Sequence, residues 1–283
     1  MIVARTKAEL RAHLRALRAG GASLALVPTM GFLHEGHLSL VRRARTLADR
    51  VAVSIFVNPT QFGPTEDLDR YPRDLEGDLE KCRREGVWLV FAPESPAEMY
   101  GPDHATWVEV EGPLTAGLCG ARRPGHFRGV ATVVLKLFHL FEPEVAVFGK
   151  KDYQQLAVIR KMVEDLDLGV TIVGGETVRE PDGLALSSRN AYLSAEERQR
   201  ALALHRGLSA ARARYEAGER RAATLVEAAR EPIAPAVDRI DYLELVDADT
   251  LVPIDEVRGR ACLLVAAFVG KTRLIDNVEL GGP

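Results

Sequence analysis

His34-Glu35-Gly36-His37 sets two imidazoles three residues apart around a glycine. On a helix, residues at that spacing share a face. The tetrapeptide follows an apolar run at residues 24–27 and a turn, Pro28-Thr29-Met30-Gly31. A buried strand giving way to a helix here would present unpaired backbone N–H groups and a positive dipole end, which together bind phosphate. Gly36 lets a ligand approach the backbone. The chemistry on offer is at phosphorus: hydrogen bonds to an α-phosphate whose charge grows under nucleophilic attack. The same two histidines would also suit a metal pair, with His126 as a third ligand, or an exposed helix face. No HExxH pattern or cysteine cluster supports a metal site.

Four further segments carry reactive side chains. Asn58-Pro59-Thr60-Gln61-Phe62 follows a second apolar run, and its two amides could bond hydroxyls and a carboxylate, although Asn-Pro also initiates turns. Arg123-Pro124-Gly125-His126 opens a helical pattern, where arginine and histidine suit an anion or a solvated surface. Gly149-Lys150-Lys151-Asp152 follows a fourth apolar run. The glycine permits close approach, and a lysine neutralises phosphate as a point charge. Asp152 could hold Mg²⁺ or simply cap the next helix, and Gln155 lies one turn in. Leu186-Ser187-Ser188-Arg189 offers two hydroxyls and a guanidinium on a connector, groups that could clamp a triphosphate.

These segments need a frame that gathers them. Valine-rich runs at residues 24–27, 51–57, 87–91, 145–148 and 170–173 are continuous rather than alternating, as in strands buried on both faces. Helical stripes lie at 37–48, 127–141 and 153–166. Alternation of this kind predicts an α/β fold, a Rossmann-like doubly wound parallel sheet with ligands at the carboxyl ends of its strands. The Pro- and Gly-rich, acidic stretch 58–78 reads as a long irregular loop, a candidate lid. Gly174-Gly175 marks a boundary, giving a Rossmann-like domain at 1–174 and a smaller α+β domain at 175–283 that carries the Ser-Ser-Arg loop at its start. In the latter, a capping box at Ser194 opens a helix towards Tyr215. A second helix at 222–230 precedes strands at 240–246 and 261–269.

Bulk properties narrow the class. A net charge of -3 argues against a nucleic-acid partner. Three scattered cysteines make neither a disulfide framework nor a zinc knuckle. No run approaches 18 apolar residues, and Arg5, Lys7 and Arg11 interrupt any leader-like pattern, so a cytoplasmic location with no membrane contact is expected.

Taken in order, the His-x-Gly-His start, the lysine after a strand end and the Ser-Ser-Arg loop fit the adenylate-forming nucleotidyltransferases, whose motifs are usually written HIGH and KMSKS. The longer strings at 28–37, 56–62, 123–129, 148–155 and 182–190 closely resemble the pantoate–β-alanine ligase family. The resemblance implies ATP-dependent condensation of pantoate with β-alanine through a pantoyl adenylate, giving pantothenate, AMP and pyrophosphate, with Mg²⁺ accompanying ATP and a homodimeric enzyme. It makes the 1–174 domain the one that binds nucleotide and pantoate. It further implies an ATP site formed by Met30, Gly31, Phe32, Leu33, His34, Glu35, Gly36, His37, Gly149, Lys150, Lys151, Asp152, Val178, Leu186, Ser187, Ser188 and Arg189. His37, the family's proton donor, acts with His34, Lys151 and Arg189 in catalysis. Gln61 and Gln155 hold pantoate, Gln61 also lies near β-alanine, and Asn58, Arg123 and His126 assist. Three positions depart from the family pattern: Lys150 replaces a common glutamate, Leu186 a frequent methionine, and Cys119 an acid.

Overall fold

The structure, a computed structural model, describes residues 1–282. In chain order its elements are β1 (Ile2–Ala4), α1 (Lys7–Ala19), β2 (Leu24–Thr29), α2 (Glu35–Arg45) and β3 (Arg50–Ile55). There follow α3 (Leu75–Arg84), β4 (Leu89–Phe91), α4 (Pro96–Met99), α5 (Pro113–Ala116), α6 (Leu118–Arg122) and α7 (His126–Phe141). The remainder are β5 (Val145–Gly149), α8 (Tyr153–Asp165), β6 (Thr171–Gly175), α9 (Ala195–Glu216), α10 (Ala222–Ile233), β7 (Arg239–Asp247), β8 (Ala261–Val269) and β9 (Thr272–Leu280).

They form two compact units. The first comprises Met1–Val110, Arg123–Lys150 and Val158–Glu176. Its six strands lie in the order β1-β4-β3-β2-β5-β6, and every pairing is parallel. The order reverses between β2 and β5, the switch point at which a doubly wound sheet leaves a crevice for ligand. Ala25, Val27, Val51, Val53, Val90 and Val147 pack with Leu40, Val41 and Ala44 of α2 and with Leu79 and Cys82 of α3. On the opposite face α7 supplies Phe141 against Phe91 and Phe138 against Phe148, both edge to face. The central strands are thus covered on both sides, which explains why they read as unbroken apolar runs.

The second unit comprises Glu111–Arg122, Lys151–Ala157 and the described residues from Thr177 onward. β7-β8-β9 form an antiparallel sheet, and Leu204, Leu208, Leu225 and Ile233 from α9 and α10 pack against Leu263, Val265 and Leu274. A single division after residue 174 leaves out two short segments that belong here. Gln154 accepts from the Cys119 N–H at 2.8 Å and donates to the carbonyls of Leu114 and Gly117 at 2.8 and 3.0 Å. The Tyr153 hydroxyl donates to the Ala248 carbonyl at 3.1 Å.

Two local expectations are corrected. The irregular stretch predicted over 58–78 stops at Asp74, whose side chain accepts from Gly77 N at 3.0 Å and caps α3. Gly174 and Gly175 lie inside β6, paired with Phe148 and Gly149, rather than at a break in the chain. A Cβ at 175 would collide with Leu40 of α2, so the glycine admits the helix that carries the histidines.

Candidate active site

The carboxyl end of β2 runs into a turn that reverses direction through two left-handed residues, Gly31 (φ 83°) and Phe32 (φ 51°). A positive φ is strained for phenylalanine, so something must hold it. Asp78 of α3 does so. Its buried carboxylate accepts from Phe32 N at 2.7 Å and Leu33 N at 2.6 Å. Lys81, one turn further on, donates to the Leu33 carbonyl at 2.9 Å. Burial pushes the Asp78 carboxyl above the ordinary aspartate range, and the two N–H bonds and Lys81 pull it back only in part. An amide at this position would turn its NH₂ towards one of those N–H groups. Asp78→Asn should therefore lower unfolding free energy by about 1–3 kcal/mol, the cost of a buried donor without an acceptor, and slow turnover with it. Urea denaturation checks this, and an unchanged midpoint would remove the role.

His34 is the N-cap of α2, and His37 is its third residue. The His34 carbonyl accepts from His37 N at 2.8 Å, and the His34 N–H donates to Nδ1 of His37 at 3.3 Å. With Nδ1 accepting, a neutral His37 carries its hydrogen on Nε2. The two ring centroids lie 4.1 Å apart. The pair therefore combines an oriented N–H donor with a helix N-terminus at the switch point of the sheet, an arrangement suited to a phosphate. Met30 faces the next segment, where its sulfur accepts from Gln61 Nε2 at 3.2 Å.

Asn58 and Gln61 are buried on the short turn Pro59–Gln61 after β3. Asn58 Nδ2 donates to Gln61 Oε1 and to the Gly129 carbonyl, both at 3.1 Å. Its Oδ1 accepts from the Thr60 hydroxyl at 2.9 Å and the Tyr100 hydroxyl at 2.8 Å. A side chain at 129 would strike the Thr60 carbonyl, so Gly129 is what lets α7 lie against this turn. Arg123 and His126 converge on the same place. His126 Nδ1–H donates to the Gln61 carbonyl at 2.8 Å, and its Nε2 accepts from Arg123 at 3.0 Å. Arg123 also grips Glu66 through two bonds of 2.7 and 2.6 Å. Burial raises the Glu66 pKa, but those bonds outweigh it and leave the carboxyl below its ordinary value. Both ring nitrogens of His126 are thus engaged, and among the described residues no three His, Cys, Asp or Glu side chains form a metal cluster. The metal-pair reading of the histidines has no third ligand here.

After β5 the two lysines differ. Lys150 pairs with Glu176 at 2.7 Å, whereas the Lys151 ammonium lies 3.5 Å from Asp152. Gln155 is half-buried on α8, while its neighbour Gln154 has both ends of its amide occupied.

Val178 and Leu186 join the arms of a small hairpin, with Leu186 N donating to the Val178 carbonyl at 3.0 Å. Ser187 caps the turn Ser188–Tyr192, accepting from Arg189 N at 3.3 Å. Ser188 is buried and Arg189 is partly so. Sequence reasoning missed Asp78, Lys81, Glu66 and Tyr100, which hold the segments it found. No sequence signal marked Asp78, because its burial and the helix that carries it emerge only in the structure.

Comparison with known proteins identifies the family. The family model for pantoate-beta-alanine ligase matches residues 2–279. Pantothenate synthetase of Myxococcus xanthus is 63% identical over 282 residues, covering 99% of this chain and 96% of that protein. The crystal structure of pantothenate synthetase from Thermus thermophilus superposes with a TM-score of 0.95 at 50% identity, covering both chains in full (100%). Pantoate-beta-alanine ligase from Francisella tularensis, crystallised with beta-gamma ATP and β-alanine, matches at TM-score 0.82 and 32% identity, over 98% of this chain and 97% of that one. Among the described residues no helix is long and apolar enough to cross a membrane. The chain belongs to the pantoate–β-alanine ligase family, and its reaction is the ligation of pantoate to β-alanine.

Proposed function

We propose that ATP drives this ligation through a pantoyl adenylate. A carboxylate is a poor acyl donor because oxide is a poor leaving group, and adenylation supplies a good one. The pantoate carboxylate attacks the α-phosphorus: a carboxylate O–P bond forms, the bond to the bridging oxygen breaks, and pyrophosphate leaves with that electron pair. The β-alanine amine then attacks the acyl carbon. A C–N bond forms, the C–O bond to AMP breaks, and the amine releases a proton.

In the first unit, residues 30–37 line ATP together with Gly149 and Lys150. His34 and the Nε2–H of His37 stabilise the pentacoordinate phosphorus. The Gln61 amide holds pantoate beside β-alanine, Asn58 orients that amide, and Arg123 and His126 hold its main chain. In the second unit, Lys151 and Asp152, with Val178, Leu186, Ser187, Ser188 and Arg189, serve ATP and the departing pyrophosphate, and Gln155 offers its amide to pantoate. This is catalysis mainly by placement and charge neutralisation. The observation that carries the reading is the histidine pair at the start of α2, above the β2–β5 switch point.

Mg²⁺ would accompany ATP, held chiefly by phosphate oxygens, as that ion commonly is. When bound there it neutralises phosphate charge. Family membership is also what supports a homodimer.

A nucleotidyltransferase that releases its nucleotidylated product is the alternative, and the amides of Gln61 and Gln155 favour a small polar acid over it. Purified protein given MgATP, pantoate and β-alanine, each omitted in turn, separates the two. AMP should form at the full rate only with both acids present. Positional isotope exchange in ATP should occur with pantoate alone. AMP release independent of β-alanine would overturn the ligase mechanism, and absence of exchange would count against the discrete adenylate.

A further inference from the structure

β9 places two buried polar side chains side by side, Asp276 and Asn277. Neither belongs to a segment with recognised chemistry. Consecutive strand residues point to opposite faces, so one dipeptide is able to hold two different elements. Asn277 donates Nδ2 to the main-chain carbonyl of Lys151 at 2.9 Å. Asp276 receives Arg179 in a two-bond grip, at 2.6 and 2.9 Å, and its Oδ1 also accepts from Asn277 N at 2.8 Å.

Arg179 stands on the hairpin that leads into Ser187. It bridges to Ala185 across the arms, and its guanidinium also donates to the Gly183 carbonyl at 3.2 Å. Asn190, just past the arginine of the loop, donates back to the Ala185 carbonyl at 3.0 Å. The grip on Arg179 therefore holds the hairpin arm that leads into Ser187, and Asn190 ties the residue after Arg189 back to that same arm.

We infer that Asp276 and Asn277 are positioning residues for the ligation: Asn277 places Lys151, and Asp276, through Arg179, places the Ser187–Arg189 arm. One strand thereby sets the register between the ammonium and the arm. The inference rests on the reading that Lys151 and Arg189 serve the triphosphate. A buried ion pair adds little stability over an apolar pair of the same size. What its paired bonds add is direction, and displacement of a phosphate-binding group by about 1 Å costs on the order of 10²-fold in rate.

The test is a double-mutant cycle. Asn277→Ala and Asn277→Asp are made in the parent and in Lys151→Met, with folding checked by circular dichroism and melting temperature. ATP–pyrophosphate exchange with pantoate reports adenylation, and the KM for β-alanine is measured alongside. Asn277→Ala should slow exchange about 10-fold or more while leaving that KM within about twofold. Asn277→Asp, which keeps the size but turns an acceptor towards the Lys151 carbonyl, should be at least as slow. In Lys151→Met the same changes should cost less than about twofold. Asp276→Asn should behave likewise against Arg189→Ala. Equal losses in both backgrounds, or unchanged exchange, overturn the inference, because support of the fold alone would be felt whatever stands at 151. If Lys151→Met itself leaves exchange unchanged, the reading of Lys151 fails and this inference with it. The single-variant column distinguishes the two failures.

Discussion

His37→Ala should lower kcat by about 10²–10³-fold, the loss that follows removal of one hydrogen-bond donor aimed at developing charge. The structure explains why the donor is ready. The His34 N–H occupies Nδ1 of His37 and leaves the hydrogen on Nε2. Because the proposed bond from Nε2–H to the phosphoryl group would strengthen as charge accumulates on the phosphorus oxygens, the KM for ATP should change much less than kcat. Steady-state kinetics at saturating pantoate and β-alanine decide the matter. Turnover within about threefold of the parent would take the role from His37.

Lys151→Met should be of similar severity, about 10²–10³-fold in ATP–pyrophosphate exchange, on the proposed role of its ammonium at the phosphate oxygens. The adjacent Lys150 supplies the control. Its ammonium is already paired with Glu176 at 2.7 Å, whereas Lys151 has the looser 3.5 Å contact with Asp152. Lys150→Met should therefore cost less than about fivefold. Equal impairment of the two variants would show that the lysines share the task, and a greater loss at 150 would reverse the assignment.

Strands β2 to β6 of the main sheet were legible because each holds a short run rich in Val, Ile, Leu and Ala, whereas the three-residue edge strand β1 was missed. The segments at 30–37, 58–62 and 149–152 stood out because they lie just past those strands. Helix α3 was not. Its apolar residues, Leu75, Leu79 and Cys82, are outnumbered by charged ones, and with Pro72 and Gly77 nearby the segment reads as loop. Strand β9 was hidden by its own polar pair, since Asp276 and Asn277 break the alternation that a half-buried strand should show. Gly174-Gly175 misled for a different reason: a side chain at 175 would strike Leu40, which is far away in sequence. Arg123 and His126 show the same limit. Their residue types suggest an anion site, but their partners Glu66 and the Gln61 carbonyl lie across the fold, and no local pattern announces them.

The interleaving of the two units has a consequence for recombination. A chimaera spliced at residue 174 from two relatives would take Cys119, Tyr153 and Gln154 from one parent, and Tyr242, Ala248 and Arg273, with which the first two share bonds, from the other. Crossovers there should be tolerated best between parents that agree at Cys119, Tyr242 and Arg273, whose side chains meet across the splice.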